Sequence, residues 1–440
     1  MNLKNQSGLT LVETLVGSAI FVLVSLSAYQ AFGVLMEAVG SSQAKIAATS
    51  VANERFEIIR NMPYEDVGII AGLPVGKIER TKNITRDGYS FTVQTAIRSV
   101  DDTFDGTIGG NPSDTSPADY KLADLDITCT NCKNFSPLKF TTLVAPHALE
   151  TASNNGALFI QVFDSAGLPV PNASVHIANT QTSPDTIIDE TTDNEGWIKV
   201  VDAPPGANVY NITATKAGYS QDQTYPIGGA AGANPLKPDS TVVLQQVTQV
   251  SLSIDRTSSL NVSTIDDTCV ALPNISFSLT GTKIIGAPSI LKYGTQNFTT
   301  DGAGSYLLSN LEWDTYNTLL TSATHDLAGS NPLPSFAINP NEARTLELVA
   351  VPHVNRALLV SVKDGANVPI DGATVRLEKA PFDETKSTNS GVCATPGQVF
   401  WNGLASGNYN LTVSKAGFQD SVTLINISPA WQNQVITLTP

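Results

Sequence analysis

The sequence predicts an α+β chain of several domains: one long N-terminal helix with a small β head, then three β-sandwich domains. Three observations predict it. An apolar run fills Leu9 to Met36, a loosely helical pattern continues from it to Pro63, and beyond residue 150 one strand-and-turn pattern returns three times. The length of 440 residues suits about three domains of ~150 residues each as a first expectation.

Composition narrows the function classes. Only 15% of residues are charged, while Thr, Ser, Asn, Gly, Pro and Val are plentiful, a mixture that suits surface β-domains better than a helical enzyme or a disordered chain. The net charge of −15 argues against nucleic acid as a partner, because that affinity rests on Lys and Arg neutralising phosphates. Four cysteines are too few for a disulfide scaffold in so long a chain.

The helix comes first. From Leu9 to Met36 a helix would run about 42 Å, longer than the ~30 Å hydrocarbon core of a bilayer. The short flank "MNLKNQS" carries one lysine and should stay cytoplasmic under the positive-inside rule. A secretory signal would place its cleavage point after the apolar run; here Gly8-Leu9 precedes it. Glu13 lies inside the run, where an ionised side chain costs roughly 2.5 kcal/mol or more. Beyond the run, Val39, Ile46, Val51, Phe56 and Ile59 recur at three-to-five spacing. Pro63 disfavours helical geometry at Met62, so the helix should end near Asn61 or Met62, after about 80 Å.

"SG" followed by "LTLVETL" resembles the class III leader of type IV prepilins and type II secretion pseudopilins. The resemblance implies that a prepilin peptidase cuts after Gly8 and methylates the new N-terminus at Leu9. It also implies that Glu13, fifth in the mature chain, is neutralised by the terminal amine of a neighbouring subunit. A buried carboxylate is tolerable only when paired, and a filament supplies the partner in trans. Leu9 departs from the phenylalanine usual in that family.

Residues 63–150 read as the head. "GYSFTVQTAIRSV", "ADLDITC" and "LKFTTLVAP" are strand candidates, and "DDTFDGTIGGNPSDTSPADY" is a turn-rich loop. This portion is similar to minor-pilin-like heads. The remainder divides at 151–246, 247–351 and 352–440, after a leader at 1–8 and a helix at 9–62. Repeat one has "FIQVFDSAGLPVPNASVHI" and "YNITATKAGY"; repeat three has "LLVSVKDGANVPIDGATVRL" and "YNLTVSKAGF". From Gly304 the offsets fall on Tyr306, Leu308, Leu311, Asp314 and Tyr316; from Gly397 they fall on Val399, Trp401, Leu404, Gly407 and Tyr409. Period-two apolar positions, a turn and a Tyr-led strand make a hairpin with one buried face. Each copy closes on a strand, "STVVLQQV", "ARTLELVAV" or "NQVITLTP", and its size fits an immunoglobulin-like sandwich. Gly167 to Val175, Lys216 to Tyr219 and Lys415 to Phe418 resemble the carboxypeptidase regulatory-like, transthyretin-like β-sandwich family. That resemblance implies a non-catalytic spacer or binding module.

Each candidate site has a simpler role beside it. Cys129 and Cys132 lack a second Cys/His pair for zinc and a βαβ setting for redox work; a local disulfide pinning a turn is the expectation. Cys269 and Cys393 fall in different repeats, and nothing in the sequence fixes their distance. His147, His176, His325 and His353 are dispersed and expected to sit beside no acidic partner, and neither "HExxH" nor "GxSxG" occurs. Ser42 and Lys45 have S-x-x-K spacing but lie on the stem helix. "DDTFDG" (Asp101, Asp102, Asp105) opens like a calcium loop, yet Pro112 stands where that loop needs a bidentate Glu. Lys77, Arg80, Lys82 and Arg86 read as a subunit contact or solvated face. No catalytic residue, metal ligand or cofactor is expected.

The expected function is a minor or tip-type pilin-like subunit that assembles through its helix and displays sandwich domains for adhesion or surface contact. Its partners would be other pilin subunits, prepilin peptidase, the pilus or type II secretion inner-membrane machinery, the membrane itself, and a cell-surface or glycan ligand. The precursor would sit in the cytoplasmic membrane with a single pass, then move to an extracellular pilus or pseudopilus. The alternative is a type II secretion pseudopilin assisting export. A membrane-anchored enzyme is a third reading without a supporting constellation.

Overall fold

The computed structural model describes residues 11–146, 153–183, 185–428 and 430–440. Helix α1 spans Leu11–Arg60. Its end is set by Pro63, and the last turn relaxes through bonds from Asn61 N–H to Glu57 O and from Met62 N–H to Ile59 O. Ala44, Ala47, Ala48, Val51, Ala52 and Ile59 recur every three or four residues and are buried. Four alanines on that face let the helix axis approach a sheet closely. The sheet is an antiparallel meander of β1 (Thr81–Arg86), β2 (Tyr89–Val100), β3 (Tyr120–Cys129) and β4 (Leu138–Val144), in that order. Asp87 and Gly88 both have positive φ, the geometry that a two-residue D-G hairpin needs. Phe91, Val93, Leu125 and Ile127 point from the sheet to the helix face.

The rest of the chain is β-structure in several sheets. The same frame recurs three times. The opening strand of each copy pairs in parallel with its closing strand: Gly156–Phe163 with Val247–Ser253, Ser258–Ile265 with Ala343–Pro352, and Ala357–Lys363 with Trp431–Thr437. Val247–Ser253 therefore closes the first copy, whereas the sequence expectation placed it at the start of the second. Alternation of side chains cannot distinguish a closing strand from an opening one; only the pairing partner does.

Local devices repeat with the frame. Asp164, Asp266 and Asp364 each use Oδ1 to accept two backbone N–H groups, two and four residues on, which fixes the turn after the opening strand. Gly196, Gly304 and Gly397 have φ of +76°, +72° and +66°. A Cβ there would meet a carbonyl oxygen at 2.5, 2.9 and 2.5 Å, so only glycine fits. Buried Thr192 and Thr388 each accept an N–H and donate to a carbonyl across the turn. Tyr210, Tyr316 and Tyr409 bury their rings and return their hydroxyls to the carbonyls of Pro204, Glu312 and Ala405. Tyr409→Phe should cost about 1 kcal/mol, since it leaves that carbonyl without its donor; an unchanged denaturant midpoint would show the hydroxyl to be idle.

The copies are not equally separate. In Ala357–Lys363, Leu358, Val360 and Val362 join the third core while Leu359 joins the second, together with Phe400 and Trp431. Trp431 Nε1–H donates to Leu327 O at 2.7 Å, and the Gln398 amide bonds Ser330 N and O at 3.0 and 2.6 Å. Cys269 and Cys393 form a disulfide across the same boundary. The second and third copies thus share a buried layer and a covalent tie, rather than hanging as independent beads.

Candidate functional site: the N-terminal helix and its seat

The first half of α1 is bare. From Leu11 to Met36 every residue is exposed, with Leu11 80% and Phe21 72% accessible. The second half is under the head sheet, so one helix has two environments divided near Val39. The hydroxyls in the bare half turn back on their own helix. Thr14, Ser18 and Ser27 donate to Leu11, Leu15 and Leu23 carbonyls at 2.9 Å each. Such internal bonds are what an apolar surrounding requires of hydroxyl groups. Glu13 stands in the first described turn, where a carboxylate is favoured by the helix dipole. Gly8 and Leu9 lie outside the described residues.

At the point where the helix leaves the head, the corner after β3 holds it. Cys129 and Cys132 are joined by a disulfide, and Asn131 inside this loop accepts Ser90 N–H and donates to Gly88 O. The next residues reach the helix: Ser41 Oγ donates to Asn134 O at 3.2 Å, and Tyr89 OH to Gly40 O at 3.4 Å. Sequence reasoning missed Ser41 and Asn134 because nothing local marks them; the contact spans 93 residues.

One other expectation changes. His176 meets Asp189 at 2.6 Å and His353 meets Asp326 at 2.9 Å, so these histidines do have acidic partners. His176 and Asp189 are paired across two strands, a proximity that sequence adjacency does not show. His147 lies outside the described residues. The basic stretch stays at the surface, where Lys77 pairs with Asp66, Lys82 with Glu79, Arg86 with Glu54, and Arg80 with Asp189 of the first repeat. Arg98 adds a second link from the head, lying 3.4 Å from Asp124 and 3.7 Å from Glu190. Burial pushes the Glu190 carboxyl up, against the pull of Arg98. In the loop between β2 and β3, burial with neighbouring carboxylates pushes Asp101 up to about 6, despite a bond from Ile108 N–H.

Residues 3–29 match the family model described as the prokaryotic N-terminal methylation motif. This chain carries an N-terminal methylation motif. The motif covers the start of the bare helix, including Glu13 and the three self-bonded hydroxyl residues. No curated protein matches the sequence. Among solved structures, the chain is similar to the TIE protein of Bacillus anthracis at 13% identity, covering 82% of this chain and 74% of that one, with TM-score 0.20. It is similar to a streptococcal ancillary pilin at 12% identity, covering 64% and 98%, with TM-score 0.18. It is also similar to the major pilin subunit BcpA of Bacillus cereus at 11% identity, covering 64% and 99%, with TM-score 0.17. Scores this low establish no common arrangement, and the methylation motif alone bears on what the helix does.

Proposed function

We propose that the chain is a minor or tip-type subunit of a type IV pilin-like filament, anchored by α1 and displaying its β-repeats outward. The observation that carries this reading is the division of α1. A methylation motif opens a helix whose first 26 described residues, 11–36, are all exposed, while the second half is seated on the head. A lone bilayer span needs only about 20 residues; the further length suits packing among the helices of other subunits. Three large repeats would crowd a filament shaft, which favours a minor or terminal place. The repeats would then meet a surface or glycan, as a structural and binding protein rather than an enzyme.

Processing provides the test. The mature chain should begin at Leu9, and antibody against the repeats should decorate filaments in electron micrographs. An intact Met1 in assembled material, or cleavage beyond Met36, would overturn the reading. Repeats confined to the cell envelope with export impaired on deletion would instead support a pseudopilin.

A further inference from the structure

The loop between β2 and β3 contains Asp101, Asp102, Asp105, Asp114 and Asp119 and no lysine or arginine. Carboxylate oxygens of Asp105, Asp114 and Asp119 all lie within 4.8 Å of one another. Three of the loop's carboxylates divide their oxygens in the same way. One oxygen holds the backbone: Asp101 Oδ2 accepts Ile108 N–H at 3.0 Å, Asp114 Oδ1 accepts Ser116 N–H at 2.7 Å, and Asp119 Oδ2 accepts Asp102 N–H. The other oxygens, Asp101 Oδ1, Asp114 Oδ2 and Asp119 Oδ1, are sealed from solvent and have no hydrogen-bond partner among the described residues. The Asp114 side chain is itself buried. Carboxylates gathered this closely, three of them with one oxygen sealed from water and lacking a donor, repel one another unless something positive joins them.

We propose that this loop is a calcium site, in which Asp105, Asp114 and Asp119 hold one Ca2+ that fixes the head against the first repeat. Calcium takes oxygen ligands at about 2.3–2.6 Å in irregular geometry, so opposite ligands stand about 5 Å apart. The observed spread fits within that. Magnesium demands near-octahedral ligands at about 2.0–2.1 Å and keeps most of its waters, which a set of loop carboxylates serves poorly. The sequence pattern failed at Pro112 because the ligands do not follow one linear loop; Asp114 and Asp119 approach from its far limb.

The position gives the ion a task. Between Asp105 and Asp114 the loop grips the first repeat: Ile108 is buried with Ala157 and Val201, and Val247 packs beside them. A Cβ on Gly109 would stand 3.1 Å from Val247 Cγ2. One residue past Asp114, Thr115 O accepts Ser153 N–H at 2.9 Å. The proposed ligands therefore flank the segment that docks the two units together.

The test uses the full chain in detergent micelles, stripped with EDTA and titrated with calcium chloride by calorimetry. One ion should bind per chain, with a dissociation constant in the ~10⁻⁴–10⁻³ M range of extracellular calcium modules. Calcium should also raise the melting midpoint and slow amide exchange at Ile108 and Ser153. Asp114→Asn combined with Asp119→Asn keeps the acceptors for the backbone but removes two charges. This variant should lose the calcium heat, yet melt no lower than the parent in EDTA, because it has lost repulsion rather than a bond. A parent without calcium uptake at about 10 mM, well above that range, would overturn the proposal. So would a variant that titrates like the parent, or one that melts lower than the parent in EDTA. None of these readouts involves a filament, so the outcome is separate from that of the proposed function.

Discussion

Trp401→Ala is expected to destabilise the C-terminal part of the chain by roughly 3–5 kcal/mol, the cost of removing a large aromatic from a packed core. Trp401 is 2% exposed and packs with the third core. The neighbouring Phe400, Leu359 and Trp431 belong to the second core, and the Cys269–Cys393 bridge ties both sides. Loss of the third copy thus strips apolar cover from the second. Hydrogen exchange should show both opening together, while amides of Gly156–Phe163 in the first copy stay protected. A second copy unmoved by the substitution would show that the shared layer carries no energy. Trp401→Phe is the informative companion. Its indole Nε1 is buried without a partner, and an orphan donor costs about 1–3 kcal/mol, so the phenylalanine should be much milder than alanine.

Glu13→Ala is expected to leave membrane insertion intact and to cut filament incorporation severely. A carboxylate at membrane depth costs about 2.5–3.5 kcal/mol by insertion scales, so alanine makes insertion easier, not harder. What it removes is an acid able to pair with a positively charged terminus of a neighbouring subunit. Membrane fractionation and quantitative labelling of sheared filaments separate the two steps. Incorporation equal to the parent would sink the pairing argument.

Much of the fold was legible in local chemistry. Pro63 stopped the helix where it should, and the offsets from Gly304 and Gly397 marked the residues that turn inward, Leu308, Leu311 and Tyr316 in one copy and Trp401, Leu404 and Tyr409 in the other. What was illegible depends on long-range proximity. Whether Val247–Ser253 closes one copy or opens the next is decided by a strand about 90 residues earlier. The meeting of Cys269 with Cys393, of His176 with Asp189, and of Asp105 with Asp114 and Asp119 follows from folded loops and registers. For the assembly site, Glu13 was legible as an anomaly of polarity, whereas the seat formed by Ser41 and Asn134 was not.

The parallel pairing of first and last strands governs how the first copy answers a pull. Two parallel neighbours enter a sandwich at one end and leave it at the other. A tether stretched between a cell and the far end of this chain would therefore load those strands along their length. The seven paired residues of Gly156–Phe163 and Val247–Ser253 would have to slide past each other, breaking their bonds as a group in shear. A hairpin pulled from its open end would instead unzip one bond at a time. In the third copy Ala357–Lys363 lies inside the loop closed by the Cys269–Cys393 bridge, so there the covalent tie would take the load first, and shear between parallel strands would fall on the first copy.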